Sequence, residues 1–393
     1  EDLDVAVDTI ELGVKTFAHD VLVKRRRFLQ QVLARLVTHH ELTGPRVLDG
    51  DAPDNKLIEE PIAAFLEIAA VRNAVRQLFA ETFPGTSFDK LWLAFYDFER
   101  LFTGRYPGYL GCDTTYHDMQ HTLDMTLALA RLVSGYERSV EPHDRLGAAR
   151  AQMAIITSLF HDSGYIRHET RDSEFINGAE FTLYHVSRSA DFLRRYLPEL
   201  GLARDVGVAS MIVHFTGYEL DLDDIELDDP RDVSCGHLIG TADMIAQMAD
   251  RCYLEKCRDR LFNEFVVGGV AVENARPGEF MVRYESGRDL LEKTPTFYQH
   301  VMRERLNSKF NRVYRYIEVL YRGHNPYIDA IRHNMTHLMR IIETGDWSLL
   351  RRKPACFLGI AQAVHDIEQL VARQLESLRS GRIRPENTLL MPV

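Results

Sequence analysis

Tyr116-His117-Asp118-Met119-Gln120-His121-Thr122-Leu123-Asp124 decides how the rest of this chain is read. His117 and His121 stand four residues apart, which on a helix stacks them on one face, and Asp124 follows on the same face. A stripe of two histidines and a carboxylate can hold a metal and still leave one group free for proton transfer. A second stretch, Phe160-His161-Asp162-Ser163-Gly164, sets His161 beside Asp162 at the end of an apolar run, with Gly164 as a helix stop. Both stretches use residue types that bind divalent cations.

Working outward, each later helical run adds one more candidate ligand. His185 precedes Val186, Ser189, Ala190 and Leu193 on an amphipathic pattern. His214 closes the apolar Met211-Ile212-Val213, and Asp243 lies inside Gly240-Thr241-Ala242-Asp243-Met244-Ile245. A carboxylate in an apolar run needs a partner, because burying it unpaired is very costly. One histidine on an apolar helix reads as a satisfied core residue. A set drawn from five helices, in an order a bundle can bring together, reads as a metal site.

The remaining pattern is helical, and the expected fold class is all-α. Apolar positions over 5–38 predict one long helix or two, with Lys24-Arg25-Arg26-Arg27 on a solvated face. Residues 57–82 continue the pattern until Phe83-Pro84-Gly85 ends it. This gives an N-terminal helical extension over 1–85, whose amphipathic face suits either a homodimer contact or packing on its own chain. A main unit spans 86–345, and a C-terminal helix and tail span 346–393. Within the main unit, helices are expected from His117 to about Val133, from Ala179 to Tyr196, from Ala203 to Phe215 and from His237 to Phe262, and helices again over 295–342 and 355–379. The acidic stretch Glu219 to Asp232 reads as a surface loop without the spacing of a calcium-binding hand. No strand-turn-strand alternation stands out.

Composition excludes several classes. The chain has 393 residues, 47 basic and 58 acidic, for a net charge of −11. That balance argues against nucleic-acid binding, which draws on many Lys and Arg contacts to phosphates. No apolar run approaches the ~18–20 residues of a membrane helix. The opening Glu1-Asp2-Leu3-Asp4 lacks the basic start and apolar core of a signal peptide; it also lacks Met, so residues upstream are expected. Five cysteines in a chain this long make no disulfide framework and suggest reduced thiols and a cytoplasmic setting.

His121, His161-Asp162 and Asp243 match the H…HD…D pattern of the HD-domain superfamily of metal-dependent phosphohydrolases, which the chain resembles over roughly 90–260 and more weakly to about 345. The stretch from Tyr116 to Asp124 is similar to the YHNxxHxxD stretch of class I cyclic-nucleotide phosphodiesterases, with Asp118 in place of Asn. The resemblance implies an HD-type helical bundle with His121, His161, Asp162 and Asp243 on a first metal. His117 would be the general acid, and Asp124 would orient a ligand or His117. His185 and His214 match the two extra histidines of the bimetallic branch, which implies a second metal and a bridging Asp162. The chain departs from the phosphodiesterases after HD: Tyr165 stands where they carry a further histidine in HDxxHxG, and His168 follows three residues on. The glutamine that grips the purine in those enzymes has no counterpart that can be placed.

The expected activity is hydrolysis of a cyclic nucleotide or related phosphodiester, a small phosphorylated substrate. Two divalent ions (Mn, Fe, Zn, Co or Mg) about 3.5–4 Å apart would generate a bridging hydroxide and clamp the phosphoryl oxygens. His117 would protonate the alkoxide. Arg167, His168 and Asn177 follow the HD motif and are candidates for touching phosphate, against a surface-loop reading. Lys256, Arg305 and Lys309 could line a pocket, against a solvated face for each, and His333/His337 form a rival i, i+4 pair without a third ligand. The alternatives are a nucleotidase or alarmone phosphohydrolase on the same ligands, a di-iron oxygenase of the kind found in myo-inositol oxygenase, or a binding module with a decayed site. The cyclic-dinucleotide branch does not fit Phe215-Thr216-Gly217-Tyr218.

Overall fold

The computed structural model describes residues 56–276, 279–350 and 366–373, with side chains over 68–271, 282–350 and 366–373. The expected helices over 5–38, the Lys24 to Arg27 run and most of the C-terminal tail lie outside them. The chain divides between Leu57 and Ile58, and the unit Ile58–Val393 holds nearly all of the described residues. The fold is all-α, as the apolar spacing predicts.

Helix α1 (Lys56–Thr82) sends Ile68, Val71, Val75 and Phe79 into the core, followed by Phe83. The segment set apart as an extension over 1–85 therefore joins the main core from Ile68 onward. Helix α2 (Asp89–Phe102) adds Leu91, Phe95, Phe98 and Leu101. Each such side chain contributes about 1.5–3 kcal/mol when fully buried.

Helix α3 (Met119–Ser139) is the element around which the others pack. Asp118 caps it, its Oδ1 accepting from the His121 backbone N–H at 3.0 Å, a cap worth about 1 kcal/mol. Thr122, Leu123, Met125, Thr126, Leu129, Leu132 and Val133 are all buried, so the helix is enclosed on nearly every side. Because the cap sits at Asp118, His117 precedes the helix instead of lying within it. Helix α4 (Gly147–Leu159) lies against α3, with the Ser158 hydroxyl donating to the Thr126 hydroxyl at 3.1 Å.

Two helices begin elsewhere than the periodicity suggests, and both shifts have a local cause. Asn177 and Glu180 form a capping box that opens a short 3₁₀ turn, Gly178–Phe181, so α5 (His185–Glu199) starts at His185 and not near Ala179. Asp229 caps α7 (Pro230–Ala249), whose first residue is a proline. The acidic stretch thus ends inside a helix. Between them lie α6 (Val206–Ile212) and a 3₁₀ turn, Val213–Thr216. Beyond Asp250 a second helix follows as α8 (Tyr253–Lys256), a π-turn (Cys257–Leu261) and α9 (Phe262–Val267), where one continuous helix from His237 was expected.

After α9 the chain makes one small antiparallel hairpin, β1 (Val272–Arg276) with β2 (Glu279–Val282), pairing Val272 with Val282. It is too short for an alternation to stand out. Helix α10 (Gly287–His300) runs on as a π-helix, Val301–Lys309, and α11 (Pro326–Thr344) is capped by Asn325 and closed by Gly345 at φ 66°. Residues 366–373 are helical and bury Ile367 and Val371 in the same core. Among the described residues no helix is long and apolar enough to cross a membrane.

Candidate metal centre

Three neighbours of the core carry the site. His121 lies in the first turn of α3, His161 and Asp162 just past the end of α4, and Asp243 in the body of α7. All four are at least nine-tenths buried. His121 Nε2 is 3.4 Å from Asp162 Oδ2 and 3.2 Å from Asp243 Oδ1. His161 Nε2 is 3.2 Å from Asp162 Oδ2 and 3.9 Å from Asp243 Oδ1. Donor atoms of His121, His161 and Asp162 converge within 4.8 Å of one another.

The hydrogen bonding fits a cation. His161 Nδ1–H donates to the Ser158 carbonyl at 2.8 Å, which leaves the Nε2 lone pair facing the cluster. His161 Nε2 and Asp162 Oδ2 are buried and make no hydrogen bond, which is rare for buried polar atoms and is what a site able to hold a cation presents. Electrostatics agree. Burial opposes a charge on His161, but the adjacent Asp162 outweighs it and raises the pKa. His121 behaves likewise, with Asp243 and Asp162 overcoming burial. Burial also opposes the Asp162 charge, yet His161, His117 and His121 hold its carboxyl well below the ordinary range. A divalent cation would displace the protons these carboxylates draw onto the histidines.

Asp162 offers its other oxygen to a second group. His185 Nε2 lies 3.8 Å from Asp162 Oδ1, and His185 Nδ1–H donates to the Thr182 carbonyl at 2.8 Å. Gly164 makes this approach feasible, since a Cβ there would stand 1.8 Å from the His185 carbonyl oxygen. Burial lowers the His185 pKa, with Asp162 acting against it. His214 is buried in its 3₁₀ turn, its Nδ1 without a hydrogen bond, but no ion pair or ring contact joins it to the other ligands. Glu219 links the two indirectly: it accepts from the Val186 and Ser187 N–H groups at the start of α5, sits 3.9 Å from His185 Nδ1, and acts on the charge of His214.

His117 stands beside the cluster, its ring centroid 5.7 Å from that of His121. Its Nδ1 is 2.6 Å from Glu264 Oε2. Glu264 is fully buried on α9, and its Oε1 accepts from the backbone N–H groups of Thr115 at 2.6 Å and Tyr116 at 2.5 Å. Burial works against a charge on His117, but Glu264 prevails and raises the pKa. Tyr165 fills the remaining wall. Its ring stacks on His117 at 4.6 Å and on His185 at 4.2 Å. Glu264 escaped the sequence reading, although the signal that marks Asp243, a carboxylate inside an apolar run, is present in Leu261-Phe262-Asn263-Glu264-Phe265-Val266.

Other expected roles do not survive the geometry. Asp124 hydrogen-bonds Gln120 at 2.8 Å, not a ligand or His117, and its side chain lines a cleft with Tyr116, His121, Gln247, Asp250 and Lys256. Burial there raises its pKa to about 6 against the pull of Lys256. Lys256 itself pairs with Asp250 at 2.6 Å in that cleft and is not a solvated-face residue. Arg167 is committed to Asp113, at 2.8 and 3.0 Å, and to the Phe175 carbonyl. Asn177 caps its 3₁₀ turn and donates to the Asp113 carbonyl, while His168 packs on Tyr109. All three hold the loop after the HD turn and none reaches the cluster. His333 and His337 bond different carbonyls, Asp329 and Leu349, and share no ligand geometry. Lys309 pairs with the exposed Asp223.

A sequence model of one family, described as Npun_R2479-like, matches residues 108–335, more than half of the chain, and the chain belongs to that family. The matched span holds every residue of the cluster, His117 and Glu264. No curated protein and no solved structure matches the chain.

Proposed function

We propose that this Npun_R2479-like protein is a metal-dependent phosphohydrolase of the HD type, acting on a phosphodiester such as a cyclic nucleotide. One observation carries the reading. Asp162 presents Oδ2 to His121 and His161 and Oδ1 to His185, while a carboxylate-backed histidine, His117, stands at the edge of the same cluster. Held by His121, His161, Asp162 and Asp243, with His185 on the further side, divalent cations would supply charge neutralisation for phosphoryl oxygens and an activated water.

The chain's own groups then divide the work. Glu264, its Oε1 occupied by two backbone N–H groups, keeps Oε2 for His117 and favours the imidazolium. His117 delivers its Nε2 proton to the leaving oxygen as the old P–O bond breaks and the water oxygen forms the new one. Tyr165 closes the wall behind His117 and keeps bulk water from its ring. The partner in this reading is a small phosphorylated molecule in a cytoplasmic setting.

The test is elemental analysis of the purified chain, with hydrolysis of bis-p-nitrophenyl phosphate and a panel of cyclic nucleotides in manganese. The expected result is about two metals per chain and turnover of an ester. Two irons with oxygen uptake and no ester hydrolysis would move the protein to the oxygenase class. Turnover confined to nucleoside monophosphates or alarmones would keep the site and replace the substrate.

A further inference from the structure

Arg305 lies in the π-helix Val301–Lys309, which ends in two consecutive left-handed residues, Asn311 at φ 48° and Arg312 at φ 57°. Such a segment is unusual: π-turns are rare and gather at functional sites, and non-glycine residues at positive φ persist only where their surroundings demand them. What this segment holds in place is a buried guanidinium, on a residue only 6% exposed. Its Nη2 donates to the Gly217 carbonyl at 2.5 Å, and the group lies 3.9 Å from the centre of the Tyr218 ring. Its Nη1 is fully buried and makes no hydrogen bond. Among the described residues no carboxylate comes within 4.0 Å of it. A buried charge without a counter-charge is costly, and the usual remedy is an anion.

The position points the same way. Phe310, five residues on and 5.7 Å from the Arg305 guanidinium, packs on Gly240, where a Cβ would stand 2.7 Å from its ring. Gly240 and Asp243 are three residues apart and share a face of α7. Tyr218, four residues after His214, feels both neighbours: burial raises its phenol pKa, Arg305 lowers it and the Asp243 carboxylate raises it. Arg305 thus lies toward the face of α7 that carries Gly240 and Asp243. Tyr218 is itself 58% exposed, so its ring covers the guanidinium from the solvent side and is held there mainly by the cation–π contact.

We infer that Arg305 is the anion-binding residue of this site, taking a phosphoryl oxygen of the substrate through Nη1 when Tyr218 swings aside. The inference rests on the phosphohydrolase reading for the identity of the anion, but not for its existence. Arginine suits the role because its charge persists at any working pH and its N–H groups match phosphate oxygens.

The experiment is calorimetric titration of the manganese-loaded full chain with inorganic phosphate, for wild type, Arg305→Gln, Arg305→Lys and Tyr218→Ala, alongside melting temperature and metal content. Arg305→Gln should weaken phosphate binding by about ten-fold or more, the scale of one charge-assisted hydrogen bond, and Arg305→Lys should recover part of it. Tyr218→Ala should tighten it. Unchanged phosphate binding in a folded, metal-replete Arg305→Gln protein would overturn the inference. If that variant does not fold, Tyr218→Ala decides: tighter binding sustains the inference and unchanged binding overturns it. The two readings also separate. Arg305-dependent phosphate binding by a wild type that hydrolyses no ester would sink the hydrolase and keep the anion site. Ester hydrolysis with KM and phosphate affinity indifferent to Arg305→Gln would do the reverse.

Discussion

The two oxygens of Asp162 face two unlike halves of one site. On the Oδ2 side, His121, His161 and Asp243 are almost wholly buried, come from α3, the end of α4 and the middle of α7, and stand within 3.2–3.9 Å of their partners. On the Oδ1 side, His185 approaches to 3.8 Å from the first residue of α5, and His214 forms no ion pair or ring contact with the other ligands. The first half is anchored on core helices packed around α3. The second depends on a helix start, a 3₁₀ turn and Glu219. The difference teaches that one buried aspartate can face a tightly gathered set of groups with one oxygen and a single, more distant histidine with the other.

Five changes would break or sharpen that contrast. Asp162→Asn removes the group both halves share; metal content should fall toward zero and turnover by about 10²–10³-fold or more. His185→Ala measured beside it should lose only the metal of the looser half, and equal losses from both variants would erase the distinction. Gly164→Ala comes next. Its Cβ meets the His185 carbonyl, so α5 must move out, which should cost about 1–3 kcal/mol in stability and the second metal while sparing the first. A melting curve and elemental analysis would check both.

Glu264→Gln tests the proposed role of His117 as the acid. The raised pKa of His117 means its protonated form persists above the ordinary histidine range and is lost as pH rises through that pKa. The basic limb of kcat/KM should therefore move to lower pH in Glu264→Gln, and an unmoved limb would remove His117 from the acid role. The smallest effect is expected at Asp124, outside both halves. Its folded pKa, about 6, lies above the ordinary 3.8, so its neutral form is favoured by folding. That contribution is full below the ordinary value and is lost as pH rises through about 6. Asp124→Asn should flatten this dependence and raise stability at pH 7 by up to about 2 kcal/mol, with metal content unchanged.

The tight half was legible in the sequence because a histidine or aspartate in an apolar helix advertises its own cost. Asp243 carries that mark, His161 and Asp162 close an apolar run, and His121 is found by its four-residue spacing from His117; the all-α pattern supplies the helices that bring them together. The errors lie where a capping side chain or a long-range partner decides. Periodicity alone puts His117 on the helix, whereas the Asp118 cap leaves it one residue outside. Asp124 shares a helical face with His121, but Gln120 and Lys256 turn it away. Arg167 and Asn177 look free to meet a phosphate until Asp113, more than fifty residues upstream, claims both. No local pattern reveals that Arg305 is buried, since its surroundings are Gly217 and Tyr218.

Tyr165 gives the site a property that none of its ligands has. The rings of His117 and His185 both rest on this one buried phenol ring. The centroids of those two rings stand 6.1 Å apart, so both histidines lean on the phenol ring and also lie close to each other. A smaller residue at this position would remove a support from both histidines at once.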